Sequence, residues 1–148
     1  MNDSAMWGRF GTFLLWGTEF LFVYHFLFIT IAILIGVVFT AAWQRPFAAA
    51  KRRRYDMVLI TPFTGVPLIA LIAAVGEVST RTDVLAPPNT VALHTVDAVL
   101  TCATVLWVFF LMFMKGRRWF VLSISLLNLW WLVGEAFVAG MALTGDWL

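Results

Sequence analysis

Apolar side chains run through this chain in four long stretches, and the charged residues collect mostly in the short segments between them. Residues 12–43, 57–76, 91–114 and 119–143 are each long enough to cross a bilayer as a helix, which takes about 20 residues. The first exceeds that length, so it is expected to tilt or protrude before Arg45-Pro46 stops it. The second contains Pro62, Gly65 and Pro67. Each proline lacks an N–H, which deprives the carbonyls of Val58 and Phe63 of their helical partners. The hydroxyls of Thr61 and Thr64 are placed to replace those bonds, and a kinked helix is expected. Pro87-Pro88-Asn89 ends any helix before the third stretch, and Lys115-Gly116-Arg117-Arg118 separates the third from the fourth. The pattern predicts an all-α integral membrane protein, one domain over residues 1–148 with four transmembrane helices.

Composition leads to the same solvent. Hydrophobic residues make up 62% of the 148 and charged residues 12%, with a mean hydropathy of +0.92. Globular proteins average about half apolar and a quarter charged. A soluble fold of this size has too much water-facing surface to hide so many apolar side chains. The partner implied is the lipid bilayer.

Charge gives the direction. The net charge is only +2, but eight of the ten Lys and Arg residues fall within 45–54 and 115–118. Basic residues in short loops stay on the cytoplasmic side. Both loops are therefore expected inside, with both termini extracytoplasmic, in a multi-pass protein of the plasma (inner) membrane. Trp43 and Trp119 then mark the inner interface, and Trp16 and Trp147 the outer one. So marked a bias argues against a dual-topology antiparallel dimer of the small multidrug type. The basic clusters sit between spans and have no soluble domain to present them, so no nucleic-acid partner is implied. Residues 1–11 lack a basic n-region and the following run is too long for a signal h-region, so no cleaved signal is expected. Cys102 is the single cysteine, which leaves no internal disulfide and no CxxC pair.

Ionisable residues inside such spans are rare and costly, and they are the candidate chemistry. At a rise of about 1.5 Å per residue, His25, Asp97 and Glu135 all lie roughly 24–26 Å from the inner end of their spans. His94 and Glu77 fall near the outer boundary, and Glu19 beyond it. Helical spacing groups Thr18, His25, Ala32 and Gly36 on one side of the first span. It groups His94, Asp97, Thr101 and Thr104 on the third, and Asn128, Trp131, Glu135, Ala139 and Ala142 on the fourth. Small and hydroxyl residues usually mark the side that faces other helices, so these stripes are expected to point into the bundle. Simpler roles compete with function. His25 suits an interior hydrogen bond, and Glu135, Glu19 and His94 suit headgroup water. Asn128 suits helix–helix bonding, and the Phe20, Phe22, Phe26, Phe28 run suits lipid. Of Trp130 and Trp131, one is expected to face lipid and one the bundle.

Three functions accommodate these residues. The first is a subunit or accessory component of a larger membrane assembly or transport system, either with other membrane subunits or as a homo-oligomer. A His/carboxylate cluster on its extracytoplasmic side would hold a proton or cation. Compact size and short loops, with no room for a soluble catalytic domain, place it first. The second is an electron-transfer bundle, with haem b bound between His25 and His94. Its metal version holds a divalent ion at His25, His94, Asp97 and Glu135. The third is an enzyme acting on a lipid or quinone at the outer leaflet, with His94, Asp97 and Glu135 as acid–base groups. No nucleophile motif or phosphate-binding loop supports it.

Overall fold

The computed structural model describes residues 3–43, 58–80, 89–114 and 118–144. Among them all but residues 21–23, Asn89 and Met114 are helical, and there is no strand. The elements are α1 (Asp3–Phe20), α2 (Tyr24–Trp43), a 3-10 helix (Val58–Thr64), α3 (Gly65–Thr80), α4 (Thr90–Phe113) and α5 (Arg118–Thr144). The basic loop at 45–54, Pro87-Pro88, most of the 115–118 cluster and Trp147 lie outside the described residues. Three segments, Phe26–Trp43, Thr90–Phe113 and Arg118–Thr144, are long and apolar enough to cross a membrane. Thr61–Glu77 is a shorter apolar helix.

Helix α5 is the centre, packing against α1, α2, α3 and α4. Leu132 lies beside Gly65, and Leu143 beside Gly76 and Ala92, so α3 runs parallel to α5 and α4 antiparallel. Trp130 bonds Thr30 and Ser123 meets Thr40, so α2 is also antiparallel to α5. The main core is small-residue packing of Ala70, Ala73, Ala74, Ala92, Ala103, Ala139 and Ala142 around Ile69, Val96 and Leu132. Small side chains let membrane helices approach closely enough for dispersion contacts to hold them. A second cluster, Trp107, Phe110 and Val121, fills the other end of the bundle.

The first apolar stretch is two helices, which corrects the single span expected over 12–43. After Phe20 the amides of Leu21, Phe22 and Val23 bond the carbonyls three residues back, at 3.1, 2.8 and 3.4 Å. These tighter bonds close α1, and α2 starts anew at Tyr24. Apolar surroundings demand a partner for any freed carbonyl. The Thr30 hydroxyl donates to the Leu21 carbonyl oxygen at 2.8 Å, and the Trp130 indole N–H donates to Thr30 Oγ1 at 3.1 Å. Phe20 stacks on Phe26 at 4.6 Å, and Phe26 meets Trp130 at 5.6 Å. Of the four phenylalanines assigned to lipid, Phe22 and Phe28 are exposed, while Phe20 and Phe26 are half-buried around the break. Trp130 and Trp131 are both half-buried, so the expected division of one to lipid and one to the bundle is not seen.

The kink expected in the second stretch takes the form of a change of helix type. Pro62 sits inside the 3-10 segment, and α-helical bonding starts only at Gly65. Pro67 is the third residue of α3, where an N–H has no partner inside the helix in any case. Thr64 does bond backward, but to the Thr61 carbonyl at 2.6 Å, not to Val58 or Phe63. Helix α4 begins where Asn89 Oδ1 accepts from the Ala92 amide at 3.1 Å, a side-chain N-cap.

Candidate functional site

The site is built where α1 crosses α5. Helix α1 carries Gly17 and α5 carries Gly134-Glu135 at the crossing. A β-carbon at Gly134 would stand 3.0 Å from Phe20 Cδ1 and 3.3 Å from the Gly17 carbonyl oxygen. A β-carbon at Gly17 would overlap the Glu135 carboxylate and lie 3.1 Å from its Cα. Two glycines thus bring the backbones together, and the Glu135 side chain lies along α1 in the space that a Gly17 side chain would need.

Glu135 is 1% exposed, and among the described residues neither of its carboxylate oxygens has a hydrogen-bond partner. Two more groups on the same stripe of α5 have unused hydrogen-bonding capacity. Asn128 is fully buried, and its Oδ1 accepts from the Trp107 indole N–H at 2.9 Å. That bond ties α4 to α5, the role the sequence suggests for Asn128. Among the described residues its Nδ2 has no partner, and neither has Trp131 Nε1. Spaced by three and four residues, Asn128, Trp131 and Glu135 rise along one side of the helix by about 4.5 and 6 Å. Unpaired polar atoms are few in folded proteins, and each buried one calls for an explanation. A bare carboxylate here would be an uncompensated charge in low dielectric. The group must be neutralised by a proton or by a bound partner.

The other candidate residues are placed differently. His94, Asp97, Thr101 and Thr104 all lie on the exposed side of α4, which presents Ala92, Val96, Ala103, Trp107 and Phe110 to the bundle. The stripe expected to point inward points outward, because the aromatic and alanine face of α4 fits the core better. His94 and Asp97 line an open groove of about 570 Å³ between α4 and α5, whose far wall includes Ala136, Gly140 and Met141. Glu135 is not part of that groove. His25 lies in the first turn of α2, and its side chain is outside the described residues. Among the described residues no three His, Cys, Asp or Glu side chains come together to hold a metal ion.

One charged contact went unforeseen. Arg9 Nη1 lies 2.8 Å from Glu77 Oε2, joining α1 to α3 at the end of the bundle where Asn89 caps α4. Arg9 lies before the apolar stretch that drew attention, and the only signal for it is its status as one of two basic residues outside the loops. Gly17 was likewise missed, since a single glycine in an apolar run has many possible reasons.

No protein-family model, curated protein or solved structure matches this chain. Function must be argued from the residues themselves.

Proposed function

We propose that this chain is a small four-pass protein of the plasma (inner) membrane, a subunit of a larger membrane or transport assembly, in which Glu135 holds a proton or a small cation. The observation that carries this proposal is the Glu135 carboxyl, buried without a partner at the α1–α5 crossing while Gly17 leaves it room. A carboxyl retained at such a cost in an apolar bundle is a functional group by default. Trp131, one turn away on the same side of α5, keeps an N–H with no partner among the described residues, so a proton carrier or a polar group of a partner has a donor to meet.

Four passes are supported by the alternating directions of α2, α3, α4 and α5. The 3-10 helix and α3 together span roughly 38 Å at their respective rises of about 2.0 and 1.5 Å per residue. That length exceeds a hydrocarbon core of about 30 Å. Exposed Trp43 and Trp119 at one end of the bundle suit the inner interface, beside the basic loops in the cytoplasm. Both termini are then outside.

Infrared spectroscopy of the protein in bilayers tests the site. The carbonyl stretch of a protonated carboxylic acid is expected in the native chain and absent from Glu135→Gln, and titration with sodium or potassium at fixed pH separates proton from cation. Identical spectra from the native chain and Glu135→Gln would remove the proposed role. For topology, a C-terminal phosphatase fusion that works only outside should be active. A silent fusion beside an active cytoplasmic reporter would reverse the orientation.

A further inference from the structure

The outer face of α4 is unlike the rest of the lipid-facing surface. Helix α2 exposes Phe28, Ile31, Leu34, Ile35, Val38 and Phe39, as a helix bathed in lipid should. Helix α4 exposes apolar residues too, Val105, Val108, Phe109 and Met112 among them, but it adds a polar stripe of His94, Asp97, Thr101 and Thr104. Among the described residues neither His94 nor Asp97 has a side-chain hydrogen bond or ion pair. The hydroxyls of Thr101 and Thr104 turn back to the carbonyls of Asp97 and Leu100, at 2.8 and 2.9 Å. They add small bulk and remaining lone pairs to the surface. A carboxylate facing acyl chains is costly, with His94 one turn away at the outer boundary, and membrane helices place such groups against another helix.

From this we infer that the α4–α5 groove is the interface with a second copy of this chain, the two α4 helices packing in parallel about a two-fold axis along the membrane normal. The inference rests on the membrane reading above and names the partner in it. Three observations select a second copy. Residues 94, 97, 101, 104, 108 and 111 repeat at spacings of three and four, the seam of a helix pair. All but Leu111 are exposed, and Leu111 is half-buried. The seam is also self-complementary. Copies inserted in the same direction meet at equal depth, and His94 and Asp97 are offset by one turn, about 4.5 Å. Each His94 can therefore reach the partner's Asp97, twice across the axis, as an isologous contact requires. Finally, the groove beside the seam carries Ala136 and Gly140, and a β-carbon at Gly140 would meet nothing within 4 Å. That wall admits a neighbouring helix closely.

Cysteine crosslinking in native membranes tests the interface, in a Cys102→Ser background. Oxidation should link Thr101→Cys and Thr104→Cys into disulfide dimers, and leave Ile35→Cys on α2 and Leu106→Cys, elsewhere on α4, monomeric. Mild-detergent particles should carry two chains of 16.7 kDa. His94→Asp should cut the dimer fraction about tenfold or more at fixed protein-to-lipid ratio, because like charges then face each other. The exchange His94→Asp with Asp97→His should restore it, which a merely misfolded variant would not do. Links equal at all four sites, a single-chain particle with lipid in the groove, or crosslinks only to another protein would each overturn the inference. Release of the chain by alkaline carbonate would instead remove the membrane reading, so the two failures are told apart.

Discussion

The α1–α5 crossing and the outer face of α4 each carry a carboxylate at about the same distance along the bundle. Glu135 is enclosed, pressed against Gly17, and unpaired. Asp97 is exposed beside His94 on a groove. The first arrangement is held by backbone approach, since only glycine at residue 17 leaves room for the acid. The second meets no side-chain partner among the described residues, and the proposed dimer would supply one. Equal depth therefore says little about role. Which side of its helix a residue occupies decides whether its cost is met within the fold or at an interface.

The largest effect should come from filling the space at the crossing. Gly17→Leu places a side chain where the Glu135 carboxylate lies, and should destabilise by about 3 kcal/mol, the upper end of overpacking costs. Gly8→Leu, where a β-carbon meets nothing within 4 Å, serves as the control with little change. Thermal unfolding in detergent measures both. Glu135→Ala should relieve part of the Gly17→Leu loss, a coupling that a double-mutant cycle reads directly. Additive losses would place Glu135 away from α1.

Next in size is a change of opposite sign. Glu135→Met replaces an unpaired buried carboxyl with an apolar side chain of similar length. Such exchanges are often neutral or stabilising, by about 1–3 kcal/mol. Greater stability with lost function would show that the acid is kept for its chemistry. A clear loss of stability would mean that Glu135 has a partner and that its burial is structural.

The helical class and three apolar spans are legible in the sequence, because lipid imposes one rule, long apolar runs, that no tertiary contact overrides. The break at residues 21–23 is not legible. Phe20 to Tyr24 contains no proline or glycine, and the break survives because Thr30 satisfies the freed Leu21 carbonyl while Trp130, more than 100 positions from the break, donates to the Thr30 hydroxyl oxygen. Pro62 marked the second helix correctly, yet not that the chain would tighten into a 3-10 turn before it. The stripe on α5 was read on the correct side, since Asn128 and Glu135 share it with Ala139 and Ala142, small residues that the core needs. The stripe on α4 was assigned to the wrong side, because Ala92, Ala103 and Trp107 compete for the core and win. Polar residues on a membrane helix point to a contact with something other than lipid, without saying whether it belongs to the same chain.

A smaller effect tests the clamp between these regions. Thr30→Val keeps the shape of the side chain and removes the hydroxyl that serves both the Leu21 carbonyl and the Trp130 indole. A lost buried hydrogen bond costs about 1 kcal/mol, and double-mutant cycles in membrane helices average about 0.6. Trp130→Phe in the same background should then add almost nothing, because its acceptor is already gone. Independent losses would separate Trp130 from the break.

The smallest effect on the fold of a single chain should come from Asp97→Asn. The side chain is exposed, bonds no described residue through its carboxylate, and keeps its shape as the amide. Unfolding in a detergent that separates the copies should therefore leave the midpoint closer to native than Thr30→Val does. In bilayers the amide still donates and accepts hydrogen bonds but no longer offers a charge to the partner's His94, so the dimer fraction should fall while the monomer stays folded. That split between two measurements is what an interface residue gives and a core residue does not. If Asp97→Asn lowers the midpoint of the separated chain as much as Gly17→Leu does, Asp97 belongs to the interior after all. The contrast between the two carboxylates then disappears, and both must be explained by packing within one bundle.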